Sequence, residues 1–392
     1  MSWKKVTLQE IVTTIQTGPF GSQLHQSDYS NDGIPVIMPK DLIDGKISLT
    51  SISRVSEEHV SRLHRHKISE GDILYSRRGD VGRCAYVKKE ESGWLCGTGC
   101  LRISINKEKV NSKFLFFYLQ LPEVKIWLEN NAIGSTMPNL NTKILGSVPL
   151  SIPPLYVQQK IAGILSAYDD LIENNQKQIQ LLEEAAQRLY KEWFVDLRFP
   201  GHETTRIVDG VPEGWMIQQL DSIADIVMGQ SPKSEFYNQT QDGLPFHQGV
   251  GSYGYRFPID SIYTTSYPKI AKQNSILLSV RAPVGRLNVT EHKIAIGRGL
   301  SSINSKNGYQ NFLFYMLKEY FFKDNIIGNG SIFASISKDE LANQKFLIPC
   351  ENLLSKFNIY ARDIDKKIGI LSRQLSLLQE ARNSLLPRLM KK

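Results

Sequence analysis

The sequence predicts an α+β protein with an internal repeat. Two mixed α/β domains are joined by two long antiparallel coiled-coil helices. Three observations favour this fold class. Short motifs occur twice in the same order, and each copy is followed by a long helical pattern. In addition, a chain of 392 residues is too long for one ordinary hydrophobic core.

The repeat is clearest in a motif rich in arginine and glycine. SRRGDVGR begins at Ser76 and returns as SVRAPVGR at Ser279, an offset of 203 residues (279 − 76). Other pairs keep the same order: GTG at 97–99 with GRG at 297–299, FLFFYL at 114–119 with FLFYML at 312–317, and IGS at 133–135 with IGN at 327–329. We therefore expect two domains of one design, each with short β-rich runs and a helix near the aromatic motif.

The segment that follows each copy spaces its apolar residues in alternating steps of four and three, which is typical of a coiled-coil seam. A core-facing amphipathic helix is the alternative, although such helices usually have a broader apolar face. Asn175 would be the polar seam residue that fixes the register. The predicted seam comprises Ile161, Tyr168, Asn175, Leu182 and Leu189 in the first helix, and Ile364, Leu371, Leu378 and Leu385 in the second.

Connectivity predicts how the two helices run. The first must carry the chain from one domain to the other and the second begins at the second domain, so we expect an antiparallel pair with the domains at opposite ends. About 38 residues per helix would span about 57 Å. The repeat also predicts an approximate two-fold axis, the symmetry of duplex DNA. We place the segments at 1–153 for the first domain, 154–193 for the first helix, 194–349 for a linker and the second domain, and 350–392 for the second helix.

Composition narrows the class of protein. Lysine and arginine total 47 against 39 acidic residues, so the formal net charge of +8 suits a polyanionic partner. The N-terminus has no apolar signal segment, and the aromatic stretch FLFYMLKEYFF is interrupted by Lys318 and Glu319, so we expect a soluble cytoplasmic protein. Four cysteines do not make a disulfide framework. Cys96 and Cys100 lack a second ligand pair, so no metal site is predicted.

The repeated motif also supplies candidate DNA contacts. Arg78 with Arg83, and Arg281 with Arg286, place guanidinium groups beside a glycine turn that can approach a phosphate closely. A structural ion pair is the alternative for any one of these arginines. The polar loops differ between the copies, as they would in two readers of different bases, although ordinary loop drift is another explanation.

The complete set of candidate DNA-binding residues combines these arginines with polar residues of the divergent loops. For some of those at 135, 136, 139 and 331, helix capping is an equally good interpretation. The set is Ser22, Lys40, Arg77, Arg78, Arg83, Ser135, Thr136, Asn139, Lys233, Gln248, Arg281, Arg286 and Ser331.

Catalytic motifs are missing from the sequence. Gly249, Gly251 and Gly254 match G-x-G-x-x-G, but Pro258 and a β-like run follow where a nucleotide site needs a helix. The chain contains no N-P-P-Y or N-P-P-F methylation motif and no G-x-x-x-x-G-K-S or G-K-T phosphate loop. We therefore predict no catalytic residue, and the alternative of a methyltransferase or nuclease in its own right is disfavoured.

The chain resembles the specificity subunit of type I restriction-modification systems along essentially its whole length. The similarity is carried by IPPLYVQQKIAGILSAYDDLIENNQKQIQLLEEAAQRLYKEWFVDLRFPGH from Ile152, GVPEGW from Gly210, and LSRQLSLLQEARNSLLPRLM from Leu371. One departure is that SIFASISK in the second copy lacks the MPNLN of the first, so identical use of this segment in the two copies is not expected.

The resemblance implies a function that the residues alone do not specify. Each domain would be a target-recognition domain that reads half of a bipartite, asymmetric DNA site, and the helices would set the distance between the halves. Two methyltransferase subunits with S-adenosylmethionine would methylate adenine N6, and restriction subunits would use ATP and Mg, while this chain itself carries no cofactor. A modification-only system and a protein-binding coiled-coil scaffold are the alternatives.

Overall fold

The computed structural model describes residues 3–134, 138–322 and 335–391. The chain divides into two compact units, which we call the first unit (Met1–Leu171 with Leu378–Lys392) and the second unit (Ile172–Leu377). Each unit combines short strands with helices. The mixed α/β character predicted for both copies is therefore confirmed.

Among its described residues, the first unit is built mainly on antiparallel strands, and β3 pairs with β9 in parallel. Its sheets have the orders β2-β10-β7-β8, β6-β3-β9, β1-β11 and β4-β5. The strands are β1 (Lys4–Thr7), β2 (Val12–Thr17), β3 (Ile34–Ile37), β4 (Leu42–Ile43), β5 (Lys46–Ile47), β6 (Ser53–Val55), β7 (Ile73–Ser76), β8 (Cys84–Tyr86), β9 (Leu95–Cys96), β10 (Cys100–Ile105) and β11 (Pro149–Ile152), and the helices are α1 (Leu8–Ile11), α2 (Glu57–Arg62), α3 (Ser112–Leu119), α4 (Pro122–Asn131) and α5 (Thr142–Gly146).

The second unit repeats this plan, with β17 and β22 as its parallel pair. Its sheets have the orders β15-β23-β20-β21, β16-β18-β17-β22-β19, β14-β24 and β12-β13. The strands are β12 (Ile207–Val208), β13 (Val211–Pro212), β14 (Met216–Gln219), β15 (Ala224–Met228), β16 (Tyr237–Asn238), β17 (Leu244–His247), β18 (Tyr263–Thr264), β19 (Ile270–Ala271), β20 (Ile276–Ser279), β21 (Leu287–Val289), β22 (Ile294–Ile296), β23 (Leu300–Ser305) and β24 (Lys345–Ile348), and the helices are α7 (Leu220–Ile223), α8 (Gln310–Phe322) and α9 (Lys338–Ala342).

Two long helices, α6 (Leu155–Phe194) and α10 (Glu351–Leu389), contribute to both units. In the first unit, Ile161 near the start of α6 shares a hydrophobic core with Leu386 near the end of α10. In the second unit, Tyr190 near the end of α6 shares a core with Phe357 near the start of α10. The helices therefore run antiparallel, as the sequence predicts. Every predicted seam residue is buried or half-buried.

A buried charge cluster binds α10 to the rest of the second unit. The Arg256 side chain is 5% exposed, and its guanidinium lies 3.9 Å from the centre of the Phe314 ring. Asp365 of α10 accepts hydrogen bonds from this guanidinium, from Tyr315 Oη at 2.7 Å and from Asn311 Nδ2 at 2.5 Å. Because several donors satisfy the carboxylate, its burial is compensated.

Three of the four cysteines, Cys84, Cys96 and Cys100, are buried, Cys350 is half-buried, and all four are free thiols. Burial raises the pKa of the Cys84 and Cys96 thiols to about 12, so both are protonated at neutral pH. In the described part of the chain, no helix is both long and apolar enough to cross a membrane.

Truncating Phe357 should destabilise the second unit because this ring is fully buried and lies 5.1 Å from Phe194 and 5.9 Å from Tyr190 between ring centres. We expect Phe357→Ala to lower the free energy of unfolding by about 3–5 kcal/mol. Ile359→Ala, at an exposed position of the same helix, is the matched control and should change it by less than about 0.5 kcal/mol. Urea unfolding followed by circular dichroism measures both, and equal midpoints would contradict this packing.

Candidate nucleic-acid interfaces

In the first unit, the loops that follow several strands meet at one edge. We call this set, residues 18–24, 38–41, 77–83 and 97–99, the first loop edge. Backbone hydrogen bonds hold it together: Gly18 N–H donates to Cys100 O at 3.0 Å, Gly97 N–H to Ile37 O at 2.8 Å, and Arg77 N–H to Gly99 O at 2.8 Å. The main chain of these loops is therefore fixed by the sheet from which they emerge.

The second unit forms the equivalent set, residues 229–233, 248–250, 280–286 and 297–299, which we call the second loop edge. Gly229 N–H donates to Leu300 O at 2.9 Å, Gly297 N–H to His247 O at 2.9 Å, and Val280 N–H to Gly299 O at 2.9 Å. These three bonds correspond one to one with those of the first unit. The internal repeat is thus preserved in the backbone of the loops as well as in the strands.

Glycines permit this close packing of one loop on another. A Cβ atom on Gly18 would lie 1.9 Å from the Gly97 carbonyl oxygen, and one on Gly229 would lie 2.2 Å from the Gly297 carbonyl oxygen. Because the atoms that the added Cβ would meet belong to the backbone, no side-chain rotation could relieve the clash. Both edges therefore require glycine at the first position after the strand.

The first arginine of each repeated motif lies at the same place on its edge. Arg78 is exposed and its backbone pairs with Asn139, whereas Arg281 is exposed and pairs with Ser335. Next to Arg78, Arg77 is half-buried with its guanidinium 5.9 Å from the centre of the exposed Phe20 ring. Each edge thus has an exposed arginine on a loop that is hydrogen-bonded to the sheet.

The second arginine of each motif is placed differently. Arg83 Nε donates to Asp80 Oδ2 at 2.7 Å, and this hydrogen bond is the main reason that the pKa of Asp80 is lowered. Arg286 is half-buried and lines a cavity of about 400 Å³ together with Arg256 and Lys318. The two arginines of a motif therefore do not act as one equivalent pair in both copies, which qualifies the paired-guanidinium interpretation of the sequence.

The other predicted residues fall on the same edges where they are described. Ser22 and Lys40 are exposed, and Lys40 Nζ donates to Ser51 O at 2.7 Å. Lys233 is exposed and lies 3.7 Å from Glu235. Gln248 is exposed, and its Oε1 accepts a hydrogen bond from Ser231 Oγ at 2.8 Å. Three predicted residues lie outside the described residues: Ser135, Thr136 and Ser331.

The glycines at 249, 251 and 254 do not open a helix. Residues Val250–Ser252 form a single 3-10 turn, and Gly254 N–H donates to Phe257 O at 3.0 Å in the loop that follows. The interpretation of this G-x-G-x-x-G match as a decoy is supported, because a phosphate-binding glycine loop leads into a helix. Within the described ranges, no group of histidine, cysteine and carboxylate side chains could hold a metal ion.

Comparison with known proteins agrees with this duplicated architecture. Residues 1–184 and 212–353 match the family described as the type I restriction modification DNA specificity domain. The chain belongs to this family. It is therefore a type I restriction-modification specificity subunit, a DNA-recognition chain.

Individual relatives cover nearly the whole chain. The type I restriction enzyme MjaX specificity subunit of Methanocaldococcus jannaschii is 29% identical to this chain, and the match covers 98% of this chain and 92% of that protein. The type I restriction enzyme HindI specificity subunit of Haemophilus influenzae is 24% identical, covering 99% of this chain and 98% of its own. The crystal structure of a type I restriction-modification S subunit from M. genitalium shares the fold, with a TM-score of 0.64 at 16% identity, over 100% of this chain and 97% of that one.

One residue of this specificity subunit was not among the sequence-based candidates. Arg298 lies between Gly297 and Gly299, is exposed, and its backbone N–H donates to Ser231 Oγ at 3.2 Å. The sequence contained a usable signal, because the flanking glycines of GTG and GRG repeat while the middle residue changes from Thr98 to Arg298. That change is visible only if the glycines are recognised as a fixed frame.

Replacing Gly229, the glycine of the second loop edge that contacts Gly297, should destabilise the specificity subunit. Gly229→Ala forces a Cβ onto the Gly297 carbonyl, so we expect the free energy of unfolding to fall by about 1–3 kcal/mol. Gly251→Ala is the matched control, since a Cβ there has no heavy atom within 4 Å. Urea unfolding compares the two variants, and a Gly229→Ala midpoint equal to that of wild type would overturn the close loop contact.

Proposed function

We propose that the chain reads a bipartite, asymmetric DNA site, one half with each unit, and positions methyltransferase and restriction subunits on it. The observation that carries this proposal is the pair of equivalent loop edges with an exposed arginine at the same backbone position, Arg78 and Arg281, and different polar residues around it. The recognition segments are 1–153 and 194–349, and the spacer helices are 154–193 and 350–392.

The division of labour follows from the chemistry of DNA. The phosphate backbone is the same at any sequence, so residues that contact it can be identical in both units. Arg78 and Arg281 fit that role, because a guanidinium binds phosphate through two parallel hydrogen bonds. The base edges differ between half-sites, so residues that read them should differ between the units. The remaining candidates of the divergent loops, such as Lys40 and Gln248, belong to this second class.

Catalysis is assigned to partner proteins. The proposed assembly, located in the cytoplasm, contains two methyltransferase subunits that use S-adenosylmethionine and restriction subunits that use ATP and Mg. The long helices supply exposed apolar side chains for protein contacts: Ile164 and Leu171 on α6 in the first unit, and Tyr360 and Leu377 on α10 in the second. Exposed apolar groups of this kind favour protein partners over DNA.

Removing the repeated arginines tests the phosphate role. In the complex with a methyltransferase subunit, Arg78→Ala and Arg281→Ala should each weaken binding to all duplex sequences and reduce the slope of log affinity against log salt by about 1, because one phosphate contact is lost. Arg206→Ala, an exposed arginine of the linker, removes the same charge and is the control. Titration of labelled DNA at several salt concentrations measures the slopes. Unchanged slopes for both variants would reject this role.

Lengthening the helices tests their role as the spacer. Inserting seven residues into both α6 and α10 adds about 10 Å of helix, equivalent to about three base pairs of B-DNA. The methylated motif should keep both half-site sequences and gain base pairs between them. Motif determination by methylation sequencing gives the result, and a changed half-site sequence with unchanged spacing would contradict the spacer role.

A further inference from the structure

The two loop edges have the same backbone arrangement, but their side chains differ in polarity and charge at three equivalent positions. The first position is the second residue after Gly18 or Gly229. The second is the residue that follows β3 or β17, and the third lies between the two glycines of GTG or GRG. These positions are occupied by Phe20, Met38 and Thr98 in the first unit, and by Ser231, Gln248 and Arg298 in the second. We call these sets the first triad and the second triad.

The equivalence of the middle positions rests on packing as well as on sequence. A Cβ atom on Gly97 would lie 2.6 Å from Met38 Sδ, and a Cβ atom on Gly297 would lie 2.3 Å from Gln248 Oε1. Each of these side chains therefore covers the first glycine of its pair. The frame is the same in both units, while the side chain that covers it is a thioether in one and an amide in the other.

The second triad is held together by one hydroxyl group. Ser231 Oγ donates to Gln248 Oε1 at 2.8 Å and accepts the Arg298 backbone N–H at 3.2 Å. His247, the residue before Gln248, is itself fixed by Ser252 Oγ at 2.8 Å and Asp260 Oδ1 at 2.9 Å. The Gln248 side chain and the Arg298 backbone are thus held in place before any ligand arrives, which reduces the entropy lost on binding.

Arg298 is the exposed cation of this triad. In the part of the chain that the structure describes, its guanidinium has no carboxylate within salt-bridge distance, in contrast to Arg83, which is paired with Asp80. A guanidinium that is anchored at its backbone and free at its tip can form the two parallel hydrogen bonds that guanine O6 and N7 accept in the major groove.

The first triad presents no cation of its own at the equivalent position. Phe20 is 55% exposed, and Met38 and Thr98 are half-buried. A ring, a thioether and a threonine methyl group offer apolar contact, which in the major groove suits the C5-methyl group of thymine. The nearby guanidinium of Arg77 stacks at 5.9 Å on the Phe20 ring and does not occupy the Thr98 position.

We propose that the two triads are the base-reading positions of the two units, with Arg298 reading a guanine in the second half-site and the first triad contacting a thymine methyl group in the first. This inference rests on the proposed function. Phosphate contact would be served by the same residue in both copies, as with Arg78 and Arg281, whereas the triads differ within an unchanged frame. A position that combines a fixed backbone with a changed side chain is suited to discriminate bases.

The test is methylation-motif sequencing of cells that express the methyltransferase subunit with wild-type chain, Arg298→Ala or Arg298→Lys. Arg298→Ala should lose the preference for guanine at one position of the second half-site by about ten- to hundredfold, and Arg298→Lys should lose less because lysine also donates to guanine O6 and N7. Both variants should keep the first half-site unchanged. Because lysine keeps the charge but lacks the planar fork, a guanine preference between those of wild type and Arg298→Ala separates base reading from simple attraction. Thr98→Ser, which removes the methyl group and keeps the hydroxyl, is the reciprocal variant and should relax one position of the first half-site only.

Two results would overturn the triad assignment while leaving the proposed function intact. One is an unchanged motif in Arg298→Ala with weaker binding to all DNA, which would make Arg298 a phosphate contact. The other is relaxation of the first half-site by this variant. Failure of the proposed function is distinguishable, because the wild-type chain would then specify no motif at all. Recovery of each variant in the purified methyltransferase complex shows that it has folded.

Discussion

Contact between glycine backbones is the constraint on which both loop edges depend. Gly18 packs on the Gly97 carbonyl and Gly229 packs on the Gly297 carbonyl, at distances that leave no room for a side chain. Since the sheet fixes one loop and the glycine contact fixes its neighbour, the loop residues start from a rigid backbone. A rigid backbone allows side chains of very different chemistry to occupy one place without a change of fold.

The long helices have a different role in the fold. Each contributes one end to the core of the first unit and the other end to the core of the second, and in the second unit Asp365 binds the buried Arg256. Asp169 of α6 lies 196 residues earlier (365 − 169), but in the first unit it pairs with the other long helix, its Oδ1 lying 2.9 Å from Nε of Arg382 on α10. The helices are therefore part of each recognition unit, and a change in one of them affects packing as well as spacing.

Much of the fold was predictable because the sequence contains it twice. The repeated SRRGDVGR and SVRAPVGR motifs and the four-three spacing of the helices indicated two like domains and an antiparallel helix pair, both of which are confirmed. The site was harder to predict. The sequence grouped Arg78 with Arg83 and left a structural ion pair open for either arginine, and the structure shows that Arg83 is the one that pairs, with Asp80. Arg298 was not predicted although GTG and GRG repeat in the sequence, because only the folded backbone shows that Gly97 and Gly297 contact Gly18 and Gly229.

If this chain specifies the DNA sequence on which its partners act, the methylated motif must depend on its presence. The decisive experiment is single-molecule methylation sequencing of cells that express a methyltransferase subunit, with and without this chain. The proposed function predicts an asymmetric, bipartite motif carrying N6-methyladenine that appears only when the chain is present. An active methyltransferase whose motif is the same with and without the chain would contradict the claim and favour a protein-binding scaffold.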